Sequence, residues 1–170
     1  SIELADRVNR FKTAAYTIER PLHLGAAVAG APADTIEAFR GYGHDIGIAY
    51  QLRDDVLGVF GDSAVTGKPA GDDLREGKRT VLFATALQLL DESDPSAAAE
   101  LRTGIGTATA PEELARLAEL IAESGALEGV EKRIEALTTS GLAHLETANI
   151  DDAVADTLRQ LAIKSTERRA

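Results

Sequence analysis

Apolar residues recur at helical spacing along most of this chain, as in Leu4, Val8 and Phe11, and no stretch of useful length alternates apolar with polar residues. The helical period predicts amphipathic helices, whereas strands would need the alternation that is missing. We therefore expect an all-α fold with about six to eight helices. Pro21 falls inside the first helical pattern, where its missing N–H should kink or break the helix.

Capping and turn residues set the other expected boundaries. Asp34 and Asp151 are placed as N-caps, and Pro111 as a first helical residue with Thr109 as its cap. Residues 61–71, rich in glycine, are expected to form a loop. The main helices are then predicted over residues 2–20, 35–60, 79–90 and 124–146, with a last helix after Asp151 that ends at residues 168–169.

The predicted helix over residues 35–60 carries a broad apolar arc, interrupted by Arg53, and one narrow polar stripe. Besides His44, the stripe holds only glycine, glutamine and aspartate. These residues are Gly47, Gln51, Asp54, Asp55, Gly58 and Asp62. Adjacent carboxylates on a mostly apolar helix are destabilising unless they are paired or bind a metal ion. A few oxygen ligands suit Mg²⁺, which also takes phosphate oxygens. An ordinary surface acid pair, balanced by Arg53 or Lys68, is the alternative.

Two lysines follow this helix in a glycine-rich segment, Lys68 and Lys78. Cations on a loop beside a metal-binding acid pair are the arrangement that holds a diphosphate, and the loop is expected to order over it. The alternative is a solvated loop whose charges pair with Asp72, Asp73 and Glu76.

A further candidate pair, Lys12 and Thr13, lies on the first predicted helix. Helical spacing places Lys12 on one stripe with Glu19. Lys12 is therefore either a ligand-binding cation or the ion-pair partner of Glu19 or Asp6.

Composition narrows the function classes. The 170 residues carry a net charge of −10, which argues against non-specific binding of nucleic acid. The chain has no cysteine, which fits a reducing compartment, and no methionine, which suggests a piece of a longer chain. We expect no signal peptide and no membrane insertion, because the longest weakly polar run is too short to span a bilayer.

Taken together, Lys12-Thr13, residues 47–55 (GIAYQLRDD), Gly67-Lys68 and residues 73–80 (DLREGKRT) resemble the C-terminal half of the trans-polyprenyl diphosphate synthases, such as farnesyl and geranylgeranyl diphosphate synthases. The resemblance implies an all-α helical bundle of the isoprenoid synthase type. Residues 1–170 would form the C-terminal portion of one such domain. It further implies a cytoplasmic homodimer that condenses an allylic diphosphate with isopentenyl diphosphate.

The resemblance also implies roles for individual residues. Asp54 and Asp55 match the start of the family's second aspartate-rich motif, which holds Mg²⁺ against the allylic diphosphate. Gln51 matches a glutamine that faces the developing carbocation. Contacts with the diphosphate are implied for Lys12, Thr13 and Lys68, and Lys78 lies near a further basic position.

Two departures from the family pattern stand out. The second motif usually has a third aspartate where this chain has Gly58, and Asp62 is the nearest substitute. The first aspartate-rich motif and the arginines that bind isopentenyl diphosphate do not occur in these residues, so we expect the chain to be inactive by itself. A non-catalytic, prenyl-synthase-like partner subunit is the alternative function, and a terpene cyclase of the same fold is a weaker one.

Overall fold

Residues 1–62, 67 and 69–168 are described by a computed structural model, and the regular secondary structure in that part of the chain is all helical, as expected. An N-terminal helical stretch comprises α1 (Ile2–Asn9), a π-helical segment (Arg10–Glu19) and α2 (Arg20–Val28). The remaining helices are α3 (Ala33–Phe60), α4 (Asp72–Arg75), α5 (Val81–Ser93), α6 (Pro95–Gly104), α7 (Pro111–Glu123), α8 (Ala126–Glu146) and α9 (Asp152–Thr166).

The sequence predicts a kink or break of the first helix at Pro21. The structure instead has a π-helical segment, Arg10–Glu19, directly before this region. Pro21 takes one of the first two positions of α2, and the helical stretch continues through it to Val28. The N–H of Arg20 donates to the carbonyl of Ala15, five residues back, as in a π-helix. Short π-helical turns inside α-helices are frequent at functional sites.

The chain divides into two compact units, one of residues 6–53 and 132–168, which we call the terminal unit. Its core is built on the apolar arc predicted for α3, since Phe39, Tyr42 and Ile46 are buried among residues of α8 and α9. The hydroxyl of Tyr42 donates to the carbonyl oxygen of Leu158 at 2.8 Å. Burial raises the pKa of Tyr42 to about 12, so the phenol stays neutral in the core.

Arg53, which interrupts the apolar arc, also has a partner in the terminal unit. Its Nε donates to the carbonyl oxygen of Thr166, the last residue of α9, at 2.8 Å. The last carbonyls of a helix have no partner within the helix and carry partial negative charge. A cation at position 53 therefore stabilises the end of α9, which explains an arginine within an otherwise apolar arc.

The other compact unit, residues 1–5 and 54–131, we call the central unit. Val56 and Val59, at the end of the predicted arc, are buried in it. Thr80 caps α5, because its hydroxyl accepts from the N–H of Phe83 at 3.2 Å, so the helix begins two residues after the predicted start at Arg79. The largest fully buried side chains of the central unit come from α4 to α7, namely Leu74, Val81, Leu82, Leu101, Leu120 and Ile121.

Several predicted helix ends need correction. Asp151 caps α9 as expected, accepting from the N–H of Ala153 at 2.8 Å, but the helix ends at Thr166, before the predicted residues 168–169. Asp34 lies in the first turn of α3 and is not its N-cap. Pro111 opens α7 as predicted, with Ala110, not Thr109, as the residue before it. None of the helices in the described residues is both long and apolar enough to cross a bilayer.

Candidate functional site

Two of the predicted site residues meet in the terminal unit, although 38 positions separate them in sequence. The hydroxyl of Thr13, on the π-helical segment, donates to Oε1 of Gln51, on α3, at 2.6 Å. Thr13 is only 7% exposed, and Gln51 is half-buried. The bond therefore fixes the orientation of the Gln51 amide.

Glycines on α3 allow the π-helical segment to approach closely. A methyl group at Gly47 would overlap the backbone of Ala14, the residue after Thr13. One turn earlier, a Cβ at Gly43 would lie 2.7 Å from the Cα of Glu19, closer than real Cβ contacts. Glycine is therefore the only residue that fits at positions 43 and 47 without a shift of the neighbouring backbone. The glycine in the predicted polar stripe is thus explained by packing, and this packing sets the distance between Thr13 and Gln51.

We expect Thr13→Val to lower the free energy of unfolding by about 1 kcal/mol, because the shape is kept while Gln51 Oε1 loses its donor. Thr13→Ser keeps the hydroxyl and should lose less. Urea denaturation of the full-length protein that carries this chain measures both. Equal stability of wild type and Thr13→Val would show that the bond contributes nothing to folding.

Lys12 precedes Thr13 and is exposed. Of its two proposed ion-pair partners, Asp6 binds Arg133 instead, with 2.8 Å between the guanidinium and the carboxylate. Within the described part of the chain, Lys12 forms no ion pair with Glu19 or any other acid. Neither of the two ion pairs considered for Lys12 is therefore formed in the described residues, and its ligand-binding role stays a prediction.

The adjacent carboxylates lie on the last part of α3, in the central unit. Asp54 is half-buried and Asp55 is 4% exposed. Among residues 1–62, 67 and 69–168, no three His, Cys, Asp or Glu side chains are close enough to hold a metal ion by themselves. A cation bound here would need oxygen ligands from water or from a substrate, as Mg²⁺ commonly does.

Lys78 is held by two carboxylates of its own segment. Its Nζ lies 2.6 Å from Oδ1 of Asp73 and 2.8 Å from the carboxylate of Glu76. The hydrogen bond with Asp73 is the largest cause of a raised pKa for Lys78, followed by the bond with Glu76. Arg75 pairs with Asp72 in the same way. Local pairing, the alternative for these loop charges, is therefore observed for Lys78 and Arg75.

Lys68, the other predicted cation, lies outside the described residues. Residues 72–75 were expected within the glycine-rich segment and form the single turn α4. From the sequence, Asp73 was named only as one of three possible partners of the loop charges; in the structure it is 8% exposed and bonded to Lys78. The sequence feature that could have indicated this pair is the spacing of five residues between Asp73 and Lys78, with Gly77 between them.

Comparison with known proteins places these residues in context. A model of the polyprenyl synthetase family matches residues 3–123. Geranylfarnesyl diphosphate synthase of Aeropyrum pernix is 40% identical over 134 residues, which are 78% of this chain and 40% of that protein. A (2E,6E)-farnesyl diphosphate synthase of Mycobacterium bovis is 36% identical over 160 residues, 94% of this chain and 44% of that protein.

A solved structure is also similar over nearly the whole chain. Geranylgeranyl pyrophosphate synthase from Corynebacterium glutamicum, complexed with isoprenyl diphosphate and magnesium, matches with a TM-score of 0.97 and 64% sequence identity. The match covers 99% of this chain and 47% of that one. The chain thus spans less than half the length of each of these relatives.

Proposed function

The chain belongs to the polyprenyl synthetase family, and on that basis we propose that the full-length protein carrying it is a trans-prenyltransferase. It condenses an allylic diphosphate with isopentenyl diphosphate and makes a longer trans-polyprenyl diphosphate. The observation that carries the proposal is the 2.6 Å hydrogen bond between Thr13 and Gln51. It joins two side chains for which the family resemblance implies contact with one substrate, the allylic diphosphate.

The cofactor in this proposal is Mg²⁺, held by Asp54 and Asp55. The donor set fits, because both residues offer only oxygen atoms and Mg²⁺ needs just one or two carboxylates when a substrate phosphate completes its shell. The presence of magnesium and isoprenyl diphosphate in the Corynebacterium glutamicum relative supports the assignment. When bound, the ion neutralises charge on the diphosphate and makes it a better leaving group.

Lysines of the chain bind the diphosphate in this proposal. Lys12 is exposed and the side chain of Lys78 is 44% exposed, so both ammonium groups are accessible to phosphate oxygens. Lys68 takes the same role by resemblance alone. Ammonium groups near phosphate oxygens stabilise the charge that grows on the diphosphate as the bond to the allylic carbon breaks.

Gln51 stabilises the allylic cation, which is the other product of that bond cleavage. The cation is attacked by the double bond of isopentenyl diphosphate, and the new cation then loses a proton to give the longer product. A fixed amide dipole stabilises positive charge without the reorganisation that water would need. The amide is also too weak a nucleophile to trap the cation. Thr13 holds this amide in place through its hydroxyl.

The proposed reaction is tested by incubating the full-length protein with isopentenyl diphosphate and a series of allylic diphosphates of increasing length. We expect products lengthened by isoprene units, detected by mass spectrometry, with release of diphosphate that stops when EDTA removes Mg²⁺. Binding of allylic diphosphate without any lengthened product would contradict the transferase and favour the non-catalytic partner subunit.

A homodimer and a cytoplasmic location are further parts of the proposal, both supported by the family resemblance. We expect the full-length protein to elute at the mass of two chains in size-exclusion chromatography with light scattering. A single-chain mass at micromolar concentration would contradict the dimer.

A further inference from the structure

Gly58 lies on α3 one turn after Asp54, where the family's motif usually has its third aspartate. A side chain at this position would collide with Asp73. The Cβ would overlap Oδ2 and Cγ of the Asp73 carboxylate and lie 2.9 Å from Oδ1, all closer than real contacts allow. The space that an aspartate would fill from the helix is therefore filled by a carboxylate from the following segment.

Asp73 cannot easily leave this space. It is 8% exposed, so its carboxylate is shielded from water and needs compensating hydrogen bonds. Lys78 supplies them, with 2.6 Å between Nζ and Oδ1. The N–H of Lys78 also donates to the carbonyl oxygen of Asp73 at 2.9 Å, which closes a tight turn between the two residues.

The second acid on Lys78 differs in burial. The side chain of Glu76 is 50% exposed, whereas that of Asp73 is 11% exposed. An ammonium group has three N–H donors, and the two carboxylates occupy two of them. An anion that reaches Lys78 can therefore use the third donor and displace the exposed Glu76, while the buried Asp73 stays.

We propose that Asp73 is a positioning residue for diphosphate binding, seated against Gly58 and holding the ammonium of Lys78 in one place. This role rests on the proposed function, in which Lys78 binds the diphosphate. A lysine side chain on a flexible stem loses conformational freedom when it binds an anion, and an anchored one loses less. Gly58 is then required by the anchor, and the departure from the family motif has a structural reason.

Asp73 is assigned to Lys78 because its carboxylate is bonded to the ammonium, with 2.6 Å between Nζ and Oδ1. A metal ligand and a positioning residue make different predictions for a double variant, because only the second acts through Lys78.

The test uses the full-length protein and measures binding of inorganic diphosphate by calorimetry at fixed Mg²⁺. Asp73→Asn, which keeps the shape, should weaken binding about tenfold, and Lys78→Ala by at least as much. The double variant should bind no more weakly than Lys78→Ala alone, because the two residues act as one unit. Circular dichroism confirms that each variant is folded.

Gly58→Ala provides a second route to the same outcome, because it displaces Asp73 without changing its chemistry. It should also weaken diphosphate binding about tenfold. Gly129→Ala is the matched control, since Gly129 is also helical and has no non-local atom within 4 Å of an added Cβ. Gly129→Ala should bind diphosphate as the wild type does.

The outcomes separate the two claims. A wild-type protein that binds no diphosphate in the presence of Mg²⁺ overturns the proposed function and this role with it. If the wild type binds diphosphate and both Asp73→Asn and Gly58→Ala bind it equally well, the role of Asp73 is overturned while the proposed function stands. Losses in Asp73→Asn and Lys78→Ala that multiply in the double variant also overturn it, because Asp73 would then act independently of Lys78.

Discussion

Replacing Asp54 with alanine should lower the turnover of the full-length protein by about 100-fold or more, because the departing diphosphate loses electrostatic stabilisation. The free energy of unfolding should change little. Residues kept for binding or catalysis are generally not those that maximise stability, so replacing one of them often costs the fold little. Diphosphate release under saturating substrates measures the turnover, and chemical denaturation measures the stability.

The matched control for this variant is Asp156→Ala. Asp156 also lies within a helix, α9, but its side chain is 65% exposed and belongs to no predicted site. Turnover should stay at the wild-type level. If Asp54→Ala unfolds while activity per folded molecule remains normal, Asp54 is a structural residue and the metal assignment is wrong.

Gly47→Ala should lower the free energy of unfolding by about 2 kcal/mol through overpacking. The added methyl group would overlap the backbone of Ala14, so the π-helical segment must move away from α3. Because that segment carries Lys12 and Thr13, turnover should fall as well. Denaturation and turnover are measured on the same preparation.

A glycine-to-alanine substitution at Gly129 should change the free energy of unfolding in the opposite direction. Gly129 lies in α8 with open space around the position of a Cβ, and alanine is favoured over glycine in a helix by about 1 kcal/mol. Gly129→Ala should therefore be as stable as the wild type or more so. A Gly47→Ala variant that is equally stable would contradict the close packing at Gly47.

Much of the fold follows from local patterns in the sequence. The apolar arc of α3, including Phe39, Tyr42 and Ile46, is buried as its period predicts. The isoprenoid synthase type of fold, implied by the combined motifs, is confirmed by the match to a solved structure. These features are predictable because a helix buries whichever face is apolar, whatever the details of its partners.

The π-helical segment could not be predicted in the same way. The amphipathic pattern of residues 2–20 fits an α-helix, and a π-helix differs from it only in hydrogen bonds that span five residues instead of four. Pro21 was a local sign of irregularity, and from it we predicted a kink or break of the helix, not a π-helical segment. The segment also packs closely against Gly43 and Gly47 of α3, a tertiary contact that no local pattern reveals.

The residues of the candidate site could be selected from the sequence. Their hydrogen-bond and ion-pair partners were harder to predict. Thr13 and Gln51 were both selected from sequence, but their hydrogen bond depends on the approach of two distant segments. For Lys78 the sequence offered several nearby acids, of which Asp73 and Glu76 both bind it, and only the structure shows that Asp73 is buried against Gly58. Charge pairing of this kind depends on positions that only the folded chain defines.

The claim that Asp54 and Asp55 hold Mg²⁺ against a diphosphate is tested most directly by titrating inorganic diphosphate into the full-length protein by calorimetry, with Mg²⁺ and with EDTA. In the wild type, Mg²⁺ should tighten diphosphate binding at least about tenfold, while Mg²⁺ alone binds weakly because the protein supplies few ligands. In Asp54→Ala this gain should disappear. An equal gain in Asp54→Ala, or tight Mg²⁺ binding by the wild type without diphosphate, would contradict the site.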